Sequence, residues 1–542
     1  MTTPTLRPES GFATLVALLM VCMLTLVGLA ALETSDDEVT LASNNWQEMR
    51  AFYAAEAGLE LATAEMQVIY DSTGAPPTVL PNYVDSLNDC ILSCNTTDDG
   101  PAVQRNLTSG NLAGLHALVK SFTVRAVGVS LIDNAKVLVS QQFETALVPI
   151  FQFAVFYDND LEIAPGPSMT LAGRVHTNGD LWLQSNNSLK INSYVSAAGD
   201  IRHGRKGGGG TGNGDVLVKD VGGNYVSMKE GGGWLESTDA HWYDSSVTRW
   251  GDRVQDAAHG QTRLNVPLNG ADEDPHKLIE RGNGNTDSYE HRATLKIKDG
   301  DAYQWVGGIW TNITSELQTK GIMSTTPDKF WDGREGCYVD VTELDIGLLY
   351  QRGYDPDNGV IYFADQTTDY PALRITNANK LGDPLTIASE NPIYMLGDFN
   401  SQNKKPASIM ADAVTFLSPN WDDTKGKLSK NNRIATQTTV NACILTGNTE
   451  TTASNYNGGF ENLPRFLETW SNKKFTWTGS MVNLWLSTQA DGAWNGTYYS
   501  PPIRDWSYDT DLDDPNNMPP EAPAVRVFQL TGWKQEYIHP ES

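Results

Sequence analysis

From Phe12 to Leu32 the chain carries no charged residue, and this run of roughly 20 residues is long enough to cross a hydrocarbon core as a helix. A polar leader, Met1 to Ser10 with Arg7 and Glu9, precedes it. The next segment, Glu33 to Met66, has no proline and keeps a helical rhythm. Val39, Leu41, Trp46, Met49, Tyr53, Ala54, Leu59, Leu61 and Met66 recur at intervals that place apolar groups on one side. The pattern predicts one uninterrupted helix from Phe12 to about Gln67, on the order of 80 Å long at 1.5 Å per residue.

After the helix the pattern changes twice. Residues 69–115 turn polar, with Pro76, Pro77 and Pro81, and are expected to be irregular. Residues 121–131 and 135–147 then alternate about the turn pair Asp133-Asn134, which predicts an antiparallel hairpin. Beyond Pro149 short apolar runs end in Asn-Gly-Asp or Gly-Asp turns, as in 153–163, 169–183 and 189–201, and the accent returns in 391–400, 407–418, 440–448 and 475–485. Such strands suggest rungs of a parallel β-helix, each burying an apolar row and bonding to its neighbours. The period is not strict, so a β-sandwich with long insertions is the rival. Between the two sets, 201–385 reads as an insertion. It opens on a glycine-rich loop around Gly207 and holds a predicted short helix at 326–331, capped by Thr326 with Pro327 at its first position. A second short helix is predicted at 463–470, and a last strand at 524–533. The predicted fold is therefore α+β, mostly β: a helix at 12–68, a head with its hairpin at 69–149, and a large β domain over 150–542.

Composition narrows the setting. A chain of 542 residues exceeds one compact core. Its 48 glycines and 15 tryptophans, with short alternating strands, suit an all-β exported body. A net charge of −27 argues against nucleic acid as a partner, because phosphate binding needs a cationic face. Of five cysteines, Cys22 lies in the apolar run, and Cys90 and Cys94 suggest a disulfide closing a short polar loop. Cys337 and Cys443 offer a second pair, which nothing in the sequence proves.

Catalytic signals are sparse. No Walker A sequence, nucleophile elbow or zinc-protease helix is present, and the eight histidines are scattered. His176 and His203, in strand-turn text, read as hydrogen-bonded structure. Two acidic turns are the candidates for a ligand: Asp355, Asp357 and Asn358, and Asp509, Asp511 and Asp513. Either offers oxygen donors for calcium, although neither has the full spacing of a known calcium loop and acidic turns are commonly just solvated turns.

Gly11-Phe12, the apolar run behind it and the segment Ala51-Phe-Tyr-Ala-Ala-Glu-Ala-Gly-Leu-Glu60 together resemble the N-terminus of type IV pilin-like proteins, specifically the PilX-type minor pilins. The resemblance covers about the first 70 residues. It implies a leader, 1–11, removed by a membrane prepilin peptidase after Gly11, with methylation of the new first residue, Phe12. It also implies packing with other pilins through the helix, and a non-enzymatic subunit of a type IV pilus or related machine. One departure stands out: the position five residues into the mature chain, glutamate in most major pilins, is Val16. That fits a minor subunit with its body at or near a filament tip, contacting a surface or a tip adhesin. The expected location is the inner membrane, single pass with a periplasmic body, and the pilus after assembly. Other readings stay open: a pseudopilin of a type II-like secretion system, a membrane-tethered β-helical polysaccharide-active enzyme, an unprocessed anchor, or a secretory signal cut near Ala30-Ala31.

Overall fold

In the computed structural model, which describes residues 9–108, 110–208, 210–268, 274–452, 456–494 and 497–537, the helix α1 runs from Glu9 to Thr73 without interruption. Its 65 residues span about 100 Å. Most of the leader lies outside the described residues.

The head is a six-stranded antiparallel sheet laid against the second half of α1. Five strands come from the expected region: β1 (Asn82–Leu87), β2 (Cys90–Asp98), β3 (Val103–Asn106), β4 (His116–Ser130) and β5 (Lys136–Pro149). The predicted hairpin is β4–β5, turning at Asn134 with φ +62°. The stretch expected to be irregular holds three of these strands, β1 to β3, joined by turns. Cys90, Leu92, Cys94 and Thr96 alternate inward along β2, and nine consecutive residues of β2 pair with β4. The sixth strand is the C-terminal Ala524–Tyr537, which pairs antiparallel with the whole of β5. Its Phe528 ring stacks on Phe143, centroids 5.2 Å apart, and Phe143 stacks on Phe122 at 5.3 Å. This aromatic column is the centre of the head core.

The body strands pair in parallel, as stacked rungs require, and they form two half-stacks that meet end to end. Phe153–Tyr157, Arg174–Thr177, Val195–Ala197 and Val254–Gln255 climb away from the head in parallel register. The chain then crosses to the opposite end and coils back through Leu295–Lys298, Val360–Ala364, Leu385–Ser389, Ala407–Ala411, Cys443–Thr446 and Met481–Asn483. The last of these pairs with Phe153–Tyr157, so the first and last rungs are neighbours and one face is continuous across both halves. Two further faces flank it. One carries Leu161–Ile163, Leu181–Leu183 and Ile201–His203 in the first half, and Pro371–Thr376, Ile393–Leu396 and Val414–Leu417 in the second. The other carries Ser188–Ile191 between its neighbours, then Lys474–Gly479 between its own. Inward rows of Val, Ile and Leu fill the centre.

The crossing segment, described over 256–268 and 274–294, lies along the stack as a strap. Arg263 bridges to Asp158 at 3.0 Å, the Leu264 amide donates to Asn178 Oδ1 at 2.7 Å, and the Tyr362 hydroxyl donates to the Ile279 carbonyl at 3.0 Å. Within the first half the turns are tied by an aspartate ladder: Asp160 Oδ1 accepts from the Asp180 amide, and Asp180 Oδ1 from the Asp200 amide, each at 2.9 Å.

Several expected elements differ. Residues 326–331 belong to the strand Met323–Asp332, where Pro327 occupies a bulge between Thr326 and Phe330 and no ladder donor is needed. Residues 463–470 form no helix. Arg465–Phe466 pairs in parallel with Thr415–Phe416, and the segment is buried on nearly every side, where an amphipathic helix would keep one side wet. The insertion expected over 201–385 contains true rungs at both ends, including Ile201–His203 and Val360–Ala364. The end of its glycine-rich loop packs closely: a Cβ on Gly212 or Gly214 would collide with the carbonyls of Ser185 or Asn187, whereas Gly208 and Gly210 have open space around them.

Candidate functional site

The helix α1 divides at about Gln47. Before it, residues 11–46 make almost no contact with the rest of the protein, and Phe12 is 75% exposed. After it, Ala51, Ala55, Leu59, Ala62, Met66 and Tyr70 are buried at steps of three and four, the spacing of one helical face, against β2, β4 and β5. The contact face is small because the sheet approaches closely: at Gly128 a Cβ would lie 2.9 Å from the Ala55 nitrogen and closer still to the Ala51 carbonyl. Polar ties fix the register. The Tyr70 hydroxyl donates to the Ala146 carbonyl at 3.0 Å, the Tyr83 hydroxyl to the Gly58 carbonyl at 2.9 Å, and Arg50 pairs with Asp89 at 3.0 Å.

The opposite face of α1 is also apolar and faces outward. Val39, Trp46, Tyr53, Leu61 and Val68, seven or eight residues apart, form one exposed stripe, with Met49 beside it. Sequence periodicity grouped Val39, Trp46, Met49, Tyr53 and Leu61 with Ala54, Leu59 and Met66 as a single face; the structure separates them. Only the size distribution hinted at this, alanines turning inward and large side chains outward. A helix with an apolar run buried by nothing, and then an apolar stripe turned away from its own head, offers surface for other helices along its full length.

The remaining candidate residues are placed as follows. Gly11 and Phe12 lie in the first turns of α1, with open space around Gly11. Cys90 and Cys94 are both free and buried. They point the same way from one strand four residues apart, roughly 13 Å along an extended backbone, where a disulfide needs Cα atoms within about 7 Å, so the expected bridge does not form. Burial pushes the Cys94 thiol up to about 11 and the Cys90 thiol upward as well, which leaves both inert. Cys337 and Cys443 are also free, on different faces of the body.

Of the acidic turns, Asn358 is occupied by structure: its Oδ1 accepts from Thr294 at 2.7 Å and its amide donates to the Arg292 carbonyl. Asp509 and Asp511 converge on Lys404 Nζ at 2.6 and 2.8 Å, and Asp513 accepts from the Tyr508 hydroxyl at 3.0 Å. Among the described residues no group of three or more His, Cys, Asp or Glu side chains is arranged to hold a metal ion. His176 is fully buried between Ser196 and Asn178, and burial lowers its pKa to about 4. His203 stacks on Trp234 at 3.7 Å. Neither faces a cluster of reactive groups.

The segment whose geometry has just been given, residues 10–60, is matched by the family model described as PilX N-terminal. This chain opens with a PilX-type N-terminus. The matched region takes in the exposed run, the stripe from Val39 to Tyr53 and the first turns packed on the head; the body lies outside it. No curated protein matches the chain. Among solved structures it is similar to the competence-associated pilin ComZ from Thermus thermophilus, at 12% identity and a TM-score of 0.30, over 90% of this chain and 97% of that one. The PilX-type segment contains one helix long and apolar enough to cross a membrane, and none of its most apolar window is buried.

Proposed function

We propose that this protein is a minor pilin-like subunit of a type IV pilus or a related machine, held in the membrane by residues 12–32, cut between Gly11 and Phe12, and assembled with other pilins through α1. The observation that carries the reading is the two-faced helix: one face seats its own head, and the outward stripe Val39, Trp46, Tyr53, Leu61 and Val68 is left for neighbours. Val16, where a glutamate would stand in most filament-building pilins, supports a minor role. So does the size of the body, which extends far past the head and favours a position at or near the tip.

The test is a double substitution on the outward stripe, Trp46→Asp with Tyr53→Asp. Both side chains are more than half exposed, so the head is expected to melt as in the parent. The variant should accumulate in membranes at parental level and be missing from sheared filaments. Recovery of the variant in filaments at parental abundance would refute assembly through this face. Intact mass and N-terminal sequencing of the parent should show methylated Phe12.

A further inference from the structure

Where the two half-stacks meet, the aspartate ladder ends and the rungs part, leaving a cleft of about 250 Å³. One wall is the turn after the first rung, with Asp160 and Glu162. The other is made by Asn448 and Thr449, just after the Cys443–Thr446 strand, and by Asn457. Tyr157, on the first rung, lines its floor.

The chemistry of this cleft is unlike that of the rest of the stack. Lys206 closes one end, its ammonium 2.8 Å from Asp160 Oδ2 and its amide donating to Glu162 Oε2 at 2.9 Å. Tyr456 donates to the other oxygen of Glu162, and its ring is covered by Arg205 at 5.5 Å and by the edge of Trp494 at 5.8 Å. Behind them Glu461 accepts from the Ala164 amide at 2.9 Å. Burial pushes Glu461 up to about 7, so this acid spends part of its time protonated near neutrality, and burial raises Glu162 as well. Two buried hydroxyls bordering the cleft have no partner among the described residues: Tyr157, 2% exposed, and Thr449, 5% exposed. An orphaned buried hydroxyl costs free energy unless something completes it, and two at one opening point to a ligand with hydroxyls of its own.

We infer that the junction cleft is a binding site for a neutral polyhydroxylated ligand, a saccharide, with Tyr157 and Thr449 bonding to its hydroxyls and Glu162, Asn448 and Asn457 accepting or donating around its ring. An anion would meet Asp160 and Glu162, and a free cation would meet Lys206 already seated between them. Hydroxyls, which donate and accept, match a lining of amides, hydroxyls and carboxyls. The volume suits one or two sugar rings, at the small end of ligand sites. The inference stands on the body alone and does not depend on how α1 is used.

The experiment is saturation-transfer NMR on the full chain in a zwitterionic detergent, since sugar-headed detergents would compete, with glucose, maltotriose, cellotriose, chitotriose and spermidine as probes. At least one neutral sugar should bind. Tyr157→Phe, which removes only an unpartnered hydroxyl, should keep the parental melting temperature and weaken binding about five- to tenfold, and Thr449→Val should weaken it similarly. Affinity that rises from monosaccharide to trisaccharide identifies a polymer end or chain as the source; equal affinity identifies a free sugar. The inference is overturned if no sugar binds, if spermidine displaces the bound sugar, or if both variants bind as the parent does.

Discussion

Substituting Gly128 by alanine should loosen α1 from its head more than any other single methyl would. A Cβ there lies 2.8 Å from the Ala51 carbonyl carbon and 2.9 Å from the Ala55 nitrogen, both backbone atoms of a helix that cannot rotate aside. The Ala51 carbonyl oxygen would lie only 1.8 Å away, where ordinary contacts lie at about 3.5 Å, so the helix must withdraw by more than about 1 Å. A gap of that size forfeits a quarter to a half of each dispersion contact along the Ala51, Ala55, Leu59 and Ala62 seam, and overpacking costs of this kind reach about 3 kcal/mol. For a head of about 100 residues that lowers the melting temperature by roughly 12 °C or more. Gly58, on the helix side of the same interface, supplies the contrast. Its added Cβ would press on the Leu92 Cδ1 methyl at 3.2 Å, the end of a flexible side chain, and touch Ala126 Cβ at an ordinary 3.6 Å, and alanine in a helix interior gains about 1 kcal/mol over glycine. Gly58→Ala should therefore leave the head unchanged or slightly more stable. The assay is near-ultraviolet circular dichroism on heating, with limited proteolysis between α1 and β1 as a second readout. A Gly128→Ala protein that melts within 2 °C of the parent, or a Gly58→Ala protein that melts as low as Gly128→Ala, would refute the close-approach argument.

Two other outcomes follow from the body and the head. His276, on the strap, sits between Glu280 at 2.6 Å and Asp412 at 3.8 Å. Burial alone would lower its pKa, but these two carboxylates outweigh burial and raise it. A raised histidine stabilises the fold fully below its unfolded value, near 6.5, and that contribution is lost as pH rises through the folded value, so amide protection over 274–292, normalised to the base-catalysed intrinsic exchange rate, should fall on going from pH 6 to pH 8 and His276→Phe should abolish that fall. Cys90 and Cys94 should both be alkylated by iodoacetamide in denaturant without reductant; a mass showing a pair linked between them would contradict the strand geometry of β2.

The elements legible in the sequence were those with a single strong period. The long helix carried its own signal, and so did the β4–β5 hairpin, with alternation on both sides of Asp133-Asn134. The Gly-Asp turns at 179–180 and 199–200 marked rungs because each glycine admits the backbone of the coil before it. What failed did so where tertiary pairing overrode local text. Pro327 with Thr326 looks like a helix start, but a bulge accepts the same residues. Leu463, Phe466, Leu467 and Trp470 fit a helical stripe, yet they are buried because other rungs enclose them. The two faces of α1 merged because hydrophobicity does not say which apolar face a neighbour covers. The junction cleft had no local signature, since Tyr157 and Glu162 meet Thr449 and Glu461 only when the ends of the body come together.

The pairing of Ala524–Tyr537 with β5 bears on the order of events during synthesis. The anchor, the helix and five strands of the head leave the ribosome early, yet Phe143 lacks its stacked neighbour Phe528 until some 380 further residues have been made. Until then β5 is an open edge, and the head waits as an incomplete sheet. Folding of the head is thus coupled to synthesis of the whole body: a product broken anywhere between β5 and Ala524 leaves the head without its sixth strand.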